Sequence, residues 1–204
     1  MKVYTALFTE ESEEAPLLYY KGESVLRSGF PFFLPDREPC YEAVPVLALM
    51  IAKTGKEVVT KFALRYVKAL GVGFDLMAPR RLAHLSECGY PWDAAVAFQD
   101  SAVAHFPEPY VQPGVVEEGN LLHYAAEQLT LSVTMPDGSH RSESFASYMP
   151  ECAVAAFSQL NVIHQGDILL LRKASTEPIP LSIESHIDIA LGEGEEEPFR
   201  LRIK

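Results

Sequence analysis

Few residues in this chain have both the type and the setting to do chemistry. Asp75 ends the apolar stretch "GVGFD" and stands just before a proline-started helix, so its carboxylate is a candidate cation ligand. Its structural alternatives are capping that helix or pairing with Arg80 or Arg81. Glu42 opens the apolar run "AVPVLALMIA" and is a second candidate oxygen donor. Arg172 and Lys173 follow "ILLL" and form a candidate anion-binding pair. His186 and Asp188 are two apart in an alternating segment, a spacing that puts both on one strand face. No two of the six histidines have the helical i, i+4 spacing of a metal pair. Cys40, Cys88 and Cys152 are far apart and odd in number, which supports neither a disulfide framework nor a zinc site. Cys88, at a helix end, reads as a structural thiol.

The elements that must position these residues alternate between strand and helix patterns. Val3 to Phe8 reads as a strand, and "LLYYKGESVL" as a strand broken at Lys21-Gly22. "GFPFFLPD" is an extended or edge segment, and residues 43–52 a buried strand with Pro45 near its entry. "GKEVVTKFALRYVKALG", residues 55–71, carries apolar residues at helical spacing and predicts an amphipathic helix capped by Gly71. Pro79 to Cys88 is a second helix, stopped by Gly89, and "PECAVAAFSQL" a third. "PDG" at 136–138 predicts a hairpin, "ILLLR" and "IPLSIESHIDIAL" further strands, and "FRLRIK" a closing strand with Phe199, Leu201 and Ile203 on one face. The expectation is α+β: one domain over residues 1–204, a mixed β-sheet with about three peripheral helices.

Composition narrows the function classes. Hydrophobic residues make up 48% and charged residues 22%, a globular balance. The net charge of −11, from 17 basic and 28 acidic residues, argues against nucleic acid or an anionic membrane as partner. The acidic runs 10–14 and 193–197 read as solvated loops. No run approaches the roughly 20 apolar residues of a membrane span. The N-terminus lacks the pattern of a signal peptide, so a reducing cytoplasm is the default expectation.

The order of the segments "LRSGFPFFLPD" (26–36), "GK" (55–56), "FALRYVKALGVGFDLMA" (62–78), "GYPWDAAVAFQDSA" (89–102) and "HQGDILL" (164–170), with the closing "FRLRIK", resembles the compact, single-domain members of the fumarylacetoacetate hydrolase family. The resemblance implies a mixed β roll or sandwich, a homodimer, and hydrolysis, isomerisation or decarboxylation of small keto-diacids. It also implies magnesium or manganese, held by a Glu-x-Glu pair and a later aspartate, that stabilises an enolate.

The aspartate matches at Asp75. The Glu-x-Glu pair falls on Val44-Pro45-Val46, or on Glu42 and Val44 if the register slips by two. The family's Thr-Ala-Arg-Asp turn becomes Met77-Ala78-Pro79-Arg80, its lysine becomes Val96 and its later aspartate Gln99. The Gly-Thr-Pro loop becomes "RKASTEPIP", and the N-terminal lid with its His/Glu pair is shortened to a segment without histidine. Losing these groups together predicts a fold kept without metal-dependent catalysis, serving as a binder of a small carboxylic acid or as a dimeric scaffold. On that reading no cofactor is expected. A purely structural dimer is a further reading, on which Val44, Val46 and Val96 pack together where a metal would sit. The alternative is a live hydrolase, isomerase or decarboxylase on acylpyruvates or other keto-diacids, with magnesium or manganese on Asp75 and Glu42.

Overall fold

A computed structural model describes residues 1–9, 16–108, 129–145, 150–192 and 198–204, together with the strand backbones of 115–118 and 121–124. Both acidic runs, 10–14 and 193–197, lie outside the described residues.

Continuous apolar runs make the central strands. β1 (Val3–Phe8), β2 (Leu17–Gly22), β3 (Glu42–Ile51), β4 (Val67–Met77), β5 (Ala102–His105) and β10 (Ile168–Lys173) form the main sheet, in the order β2-β1-β10-β3-β4-β5. β1 and β10 run parallel and the other pairs antiparallel. β11 (Ile179–Pro180) adds to β3 beside Glu42 and Ala43. A second sheet runs β13-β12-β8-β9, from Phe199–Arg202, His186–Leu191, Thr130–Thr134 and His140–Ser144. β6 (Val115–Glu118) and β7 (Leu121–Tyr124) form a separate pair.

The main sheet curls until its two edges meet. Just past β2, Leu26 bridges Val103 of β5, and its N–H donates to Ala102 O at 2.9 Å. Curling creates two different faces. The convex face, with Leu47, Leu49, Phe74, Leu76, Leu169 and Leu171, packs against the second sheet and helix α4 (Pro150–Leu160) in one large core. The concave face carries smaller side chains: Val3, Val46, Ala48, Ala102, Ala104, Ile168 and Leu170. Small residues suit the tight inside of a curled sheet. The close approach of β4 to β5 also needs glycine, because a Cβ on Gly73 would fall 1.9 Å from Val103 O and one on Gly71 2.2 Å from His105 O.

Those glycines explain the main departure from the sequence reading. The helix expected over residues 55–71 is only α1 (Thr60–Ala63) and a 3₁₀ turn (Leu64–Tyr66); from Val67 the chain is strand. Gly71 is an interior strand residue and not a helix cap. The apparent apolar stripe is not a buried face either, since Val59 and Phe62 are exposed and the Lys61 and Arg65 cations lie over the Phe62 ring. Pairing of β4 between β3 and β5 overrides local helix propensity here. The other helices are α2 (Pro79–Glu87), with Pro79 in its first turn, and the short α3 (Asp93–Val96). The hairpin at 136–138 joins β8 to β9 as the turn residues predict. Among the described residues no helix is long and apolar enough to cross a membrane.

Candidate functional site

Asp75 lies on the concave face of β4 and is fully buried. Its nearest partners come from β2 and β10, which curling brings across the interior. Lys21 Nζ stands 2.7 Å from Asp75 Oδ1, with both side chains inaccessible to solvent. Arg172 Nη1 donates to Asp75 Oδ2 at 3.0 Å and to the Tyr19 hydroxyl oxygen at 3.1 Å. The Tyr19 O–H donates to Asp75 Oδ2 in a short hydrogen bond. Lys21 Nζ also donates to Leu76 O at 2.8 Å. Two of these partners, Lys21 and Tyr19, are absent from the site read in the sequence. Arg80 and Arg81 do not reach Asp75, and Arg81 instead pairs with Glu38 at 2.6 Å.

A β-bulge lies at Lys21. β2 pairs Tyr20 with Tyr4 and Gly22 with Val3, so Lys21 is the extra residue between them. Gly22 takes a φ of +134°, a conformation that L side chains rarely adopt. The bulge lengthens β2 by one residue at this point, and the lysine lies with Tyr19 on the concave face. The break expected at Lys21-Gly22 marks this bulge, and period-two alternation from Tyr19 was the signal that could have found the lysine.

Burial and charge oppose each other at this centre. Burial pushes the Asp75 carboxyl up, but Lys21 and Arg172 outweigh it and hold the group below the usual carboxylate range. Burial lowers the Lys21 ammonium, against the pull of Asp75. Burial also raises the Tyr19 hydroxyl, with the Asp75 charge adding to it, so it stays a donor. Two basic side chains face one carboxylate in a dry setting, and burial works against Lys21 keeping its charge. Thr5 Oγ1 and Arg172 Nε are also buried on this face without a hydrogen-bond partner, and Asp75 Oδ1 meets Lys21 as an ion pair without hydrogen-bond geometry.

Opposite Asp75 in the β3–β4 register stands Val44. Val44 packs with Met77, Ala95 and Val96, and Leu82 and Leu85 of α2 close the cluster. Val46 does not join them; alternation keeps it on the same face but one step on, with Val3, Ala48 and Leu170. Glu42 is half-buried, opposite Met77, and among the described residues no ion pair joins it to Lys21 or Arg172. Among the described residues no three His, Cys, Asp or Glu side chains come together as a metal-binding group. A magnesium or manganese ion needs several oxygen donors. Asp75 is one carboxylate, Val44 offers none, and an ammonium already lies against Oδ1. The residues present do not fit a divalent ion.

The other candidates separate. Arg172 and Lys173 are neighbours in β10, and alternation sends them to opposite faces. Arg172 enters the Asp75 centre with its side chain 16% exposed, while Lys173 pairs with Glu143 at 3.1 Å and lies over the Phe145 ring. Asp188 is held by Arg200 through two hydrogen bonds of 2.8 Å, leaving His186 exposed beside it. Cys88 is exposed, 4.0 Å from His84 Nδ1. Gln99 lines a separate cavity of about 590 Å³ with Phe32, Tyr41, Arg81 and Phe98, and none of Lys21, Asp75 or Arg172 borders it.

No family model matches the sequence, and no curated protein does. Solved structures do. A protein from Yersinia pestis CO92 assigned to the fumarylacetoacetate hydrolase family aligns over 100% of this chain and 92% of its own, with a TM-score of 0.75 and 20% identity. Fumarylpyruvate hydrolase from Pseudomonas aeruginosa, solved with Mn²⁺ and pyruvate, aligns over 100% and 89%, with a TM-score of 0.74 and 16% identity. 5-Carboxymethyl-2-hydroxymuconate delta-isomerase from Mycobacterium smegmatis aligns over 99% and 78%, with a TM-score of 0.68 and 16% identity. Curled mixed sheet, second sheet and peripheral helices together are the fold of the fumarylacetoacetate hydrolase family.

Proposed function

We propose that this chain uses the fumarylacetoacetate hydrolase fold without divalent-metal catalysis, and that it binds a small carboxylic acid at Arg172. The observation that carries the reading is the charge balance at Asp75. Lys21 and Arg172 both bind that one carboxylate, so the concave interior holds two basic groups to one acidic group. A buried charge without a counter-charge is costly; loss of the Lys21 proton or a small anion would relieve it, and the anion is the reading we propose. Arg172 is the member of the cluster with solvent access, and its Nε lacks a partner. A carboxylate meets that donor geometry well. Lys173 lies outside this site. A homodimer is the assembly we propose, as the sequence resemblance implies.

The role of the protein is then recognition: Tyr19, Asp75 and Lys21 fix the guanidinium, and Arg172 holds the acid. A test is calorimetric titration of metal-stripped protein with pyruvate and with oxalate. Binding that Arg172→Gln removes and magnesium leaves unchanged is the expected result. Absence of heat with both acids would contradict it. The second reading, a metal-dependent hydrolase or isomerase of keto-diacids, draws on the activities named for the structural neighbours. Magnesium-dependent turnover of an acylpyruvate, lost in Asp75→Asn, would establish that reading instead.

A further inference from the structure

We infer that Lys21 determines which cation the Asp75 centre accepts: its ammonium is the resident cation of the site and excludes divalent ions. The inference concerns the same centre as the acid-binding reading but holds whether or not an acid binds.

The position of Lys21 is built and not incidental. A bulge supplies the extra residue, Gly22 supplies the backbone turn, and the ammonium is then gripped by Asp75 Oδ1 at 2.7 Å and Leu76 O at 2.8 Å. Ser101 Oγ holds the Lys21 carbonyl from the opposite edge of the sheet at 3.5 Å. The ammonium thus ties β2 to β4 across the seam where the sheet closes. Both carboxylate oxygens of Asp75 are taken by cations that the chain itself provides. A divalent ion placed there would face two like charges at close range in a weakly screening interior. The donor set has changed in the same direction: Val44, opposite Asp75, supplies a methyl surface where an oxygen would be needed.

Removing one charge and restoring one donor should reverse the preference. In Lys21→Met/Val44→Glu the centre would hold Asp75, a new carboxylate opposite it and Arg172, with Glu42 one step along the same strand face. The excess charge changes from positive to negative. Electron paramagnetic resonance counts free Mn²⁺ directly and needs no activity. The expected result is Mn²⁺ binding by the double variant more than about a hundredfold tighter than by wild type, and lost when Asp75→Asn is added. A folded double variant as inert as wild type would overturn the inference. So would Asp75-dependent Mn²⁺ binding by wild type. Should the double variant fail to fold, wild type still decides it through the ¹⁵Nζ resonance of Lys21. Slowly exchanging Lys21 ammonium protons that persist in excess Mg²⁺ support the inference, and their loss on adding Mg²⁺ refutes it.

Discussion

Asp75 and Asp188 are both strand aspartates paired with an arginine, yet they do different work. Asp188 meets Arg200 in a two-pronged pair, and the Arg200 side chain is 57% exposed, so water screens the interaction. Asp75 meets Arg172, Lys21 and Tyr19 where none of the carboxylate sees solvent. Similar chemistry has one exposed partner in the first case, where Asp188 is buried but Arg200 reaches water, and none in the second, inside a curl. Surroundings, more than residue type, leave the first pair partly screened by water and the second fully dry.

The largest difference should appear on removing the central carboxylate. Asp75→Ala leaves Lys21 and Arg172 buried together without a counter-charge, and should cost about 3–5 kcal/mol in chemical denaturation. Lys21→Met leaves Asp75 still paired with Arg172, so a smaller loss of about 1–3 kcal/mol is expected by the same measurement. A loss from Lys21→Met equal to that from Asp75→Ala would mean that Arg172 does not hold the carboxylate alone.

Acid sharpens the comparison. The folded Asp75 carboxyl lies below its ordinary value of 3.8. A depressed carboxyl contributes stability that is fully present above the unfolded value and is lost as pH falls through the folded one. Wild type should therefore lose stability below pH 3.8 more steeply than Asp75→Asn does, a contrast that melting temperatures across acid buffers would reveal. The smallest effect belongs to the pair with an exposed arginine. Arg200→Ala should shift the unfolding midpoint less than Lys21→Met does, and an equal shift would erase the distinction between the two regions.

Much of the fold was legible because burial writes itself into composition. Val3–Phe8, Glu42–Ile51 and Ile168–Lys173 are apolar runs that only buried strands need, and Pro79 and Pro150 open their helices as expected. The stretch 55–71 misled because its apolar residues fall at helical spacing by coincidence, while the reason for a strand lies in partners far along the chain. β4 is fixed by Glu42–Ile51 on one side and Ala102–His105 on the other. The site divides in the same way. Asp75 and Arg172 stand out in the sequence as charges at the ends of apolar runs. Lys21 does not, because a lone lysine beside a glycine looks like a turn. Only closure of the sheet brings β2 against β4. Val44 and Val96 were expected to pack together, and they do so with Met77 and Ala95. Val46 belongs to the neighbouring layer because the interior has two clusters and not one.

The most direct test of the account is an Mn²⁺ titration of metal-stripped wild-type protein, followed by electron paramagnetic resonance, with and without oxalate. The account predicts no binding that depends on Asp75, because Lys21 and Arg172 already satisfy its charge. Saturable Mn²⁺ binding that tightens with oxalate and vanishes in Asp75→Asn would contradict it.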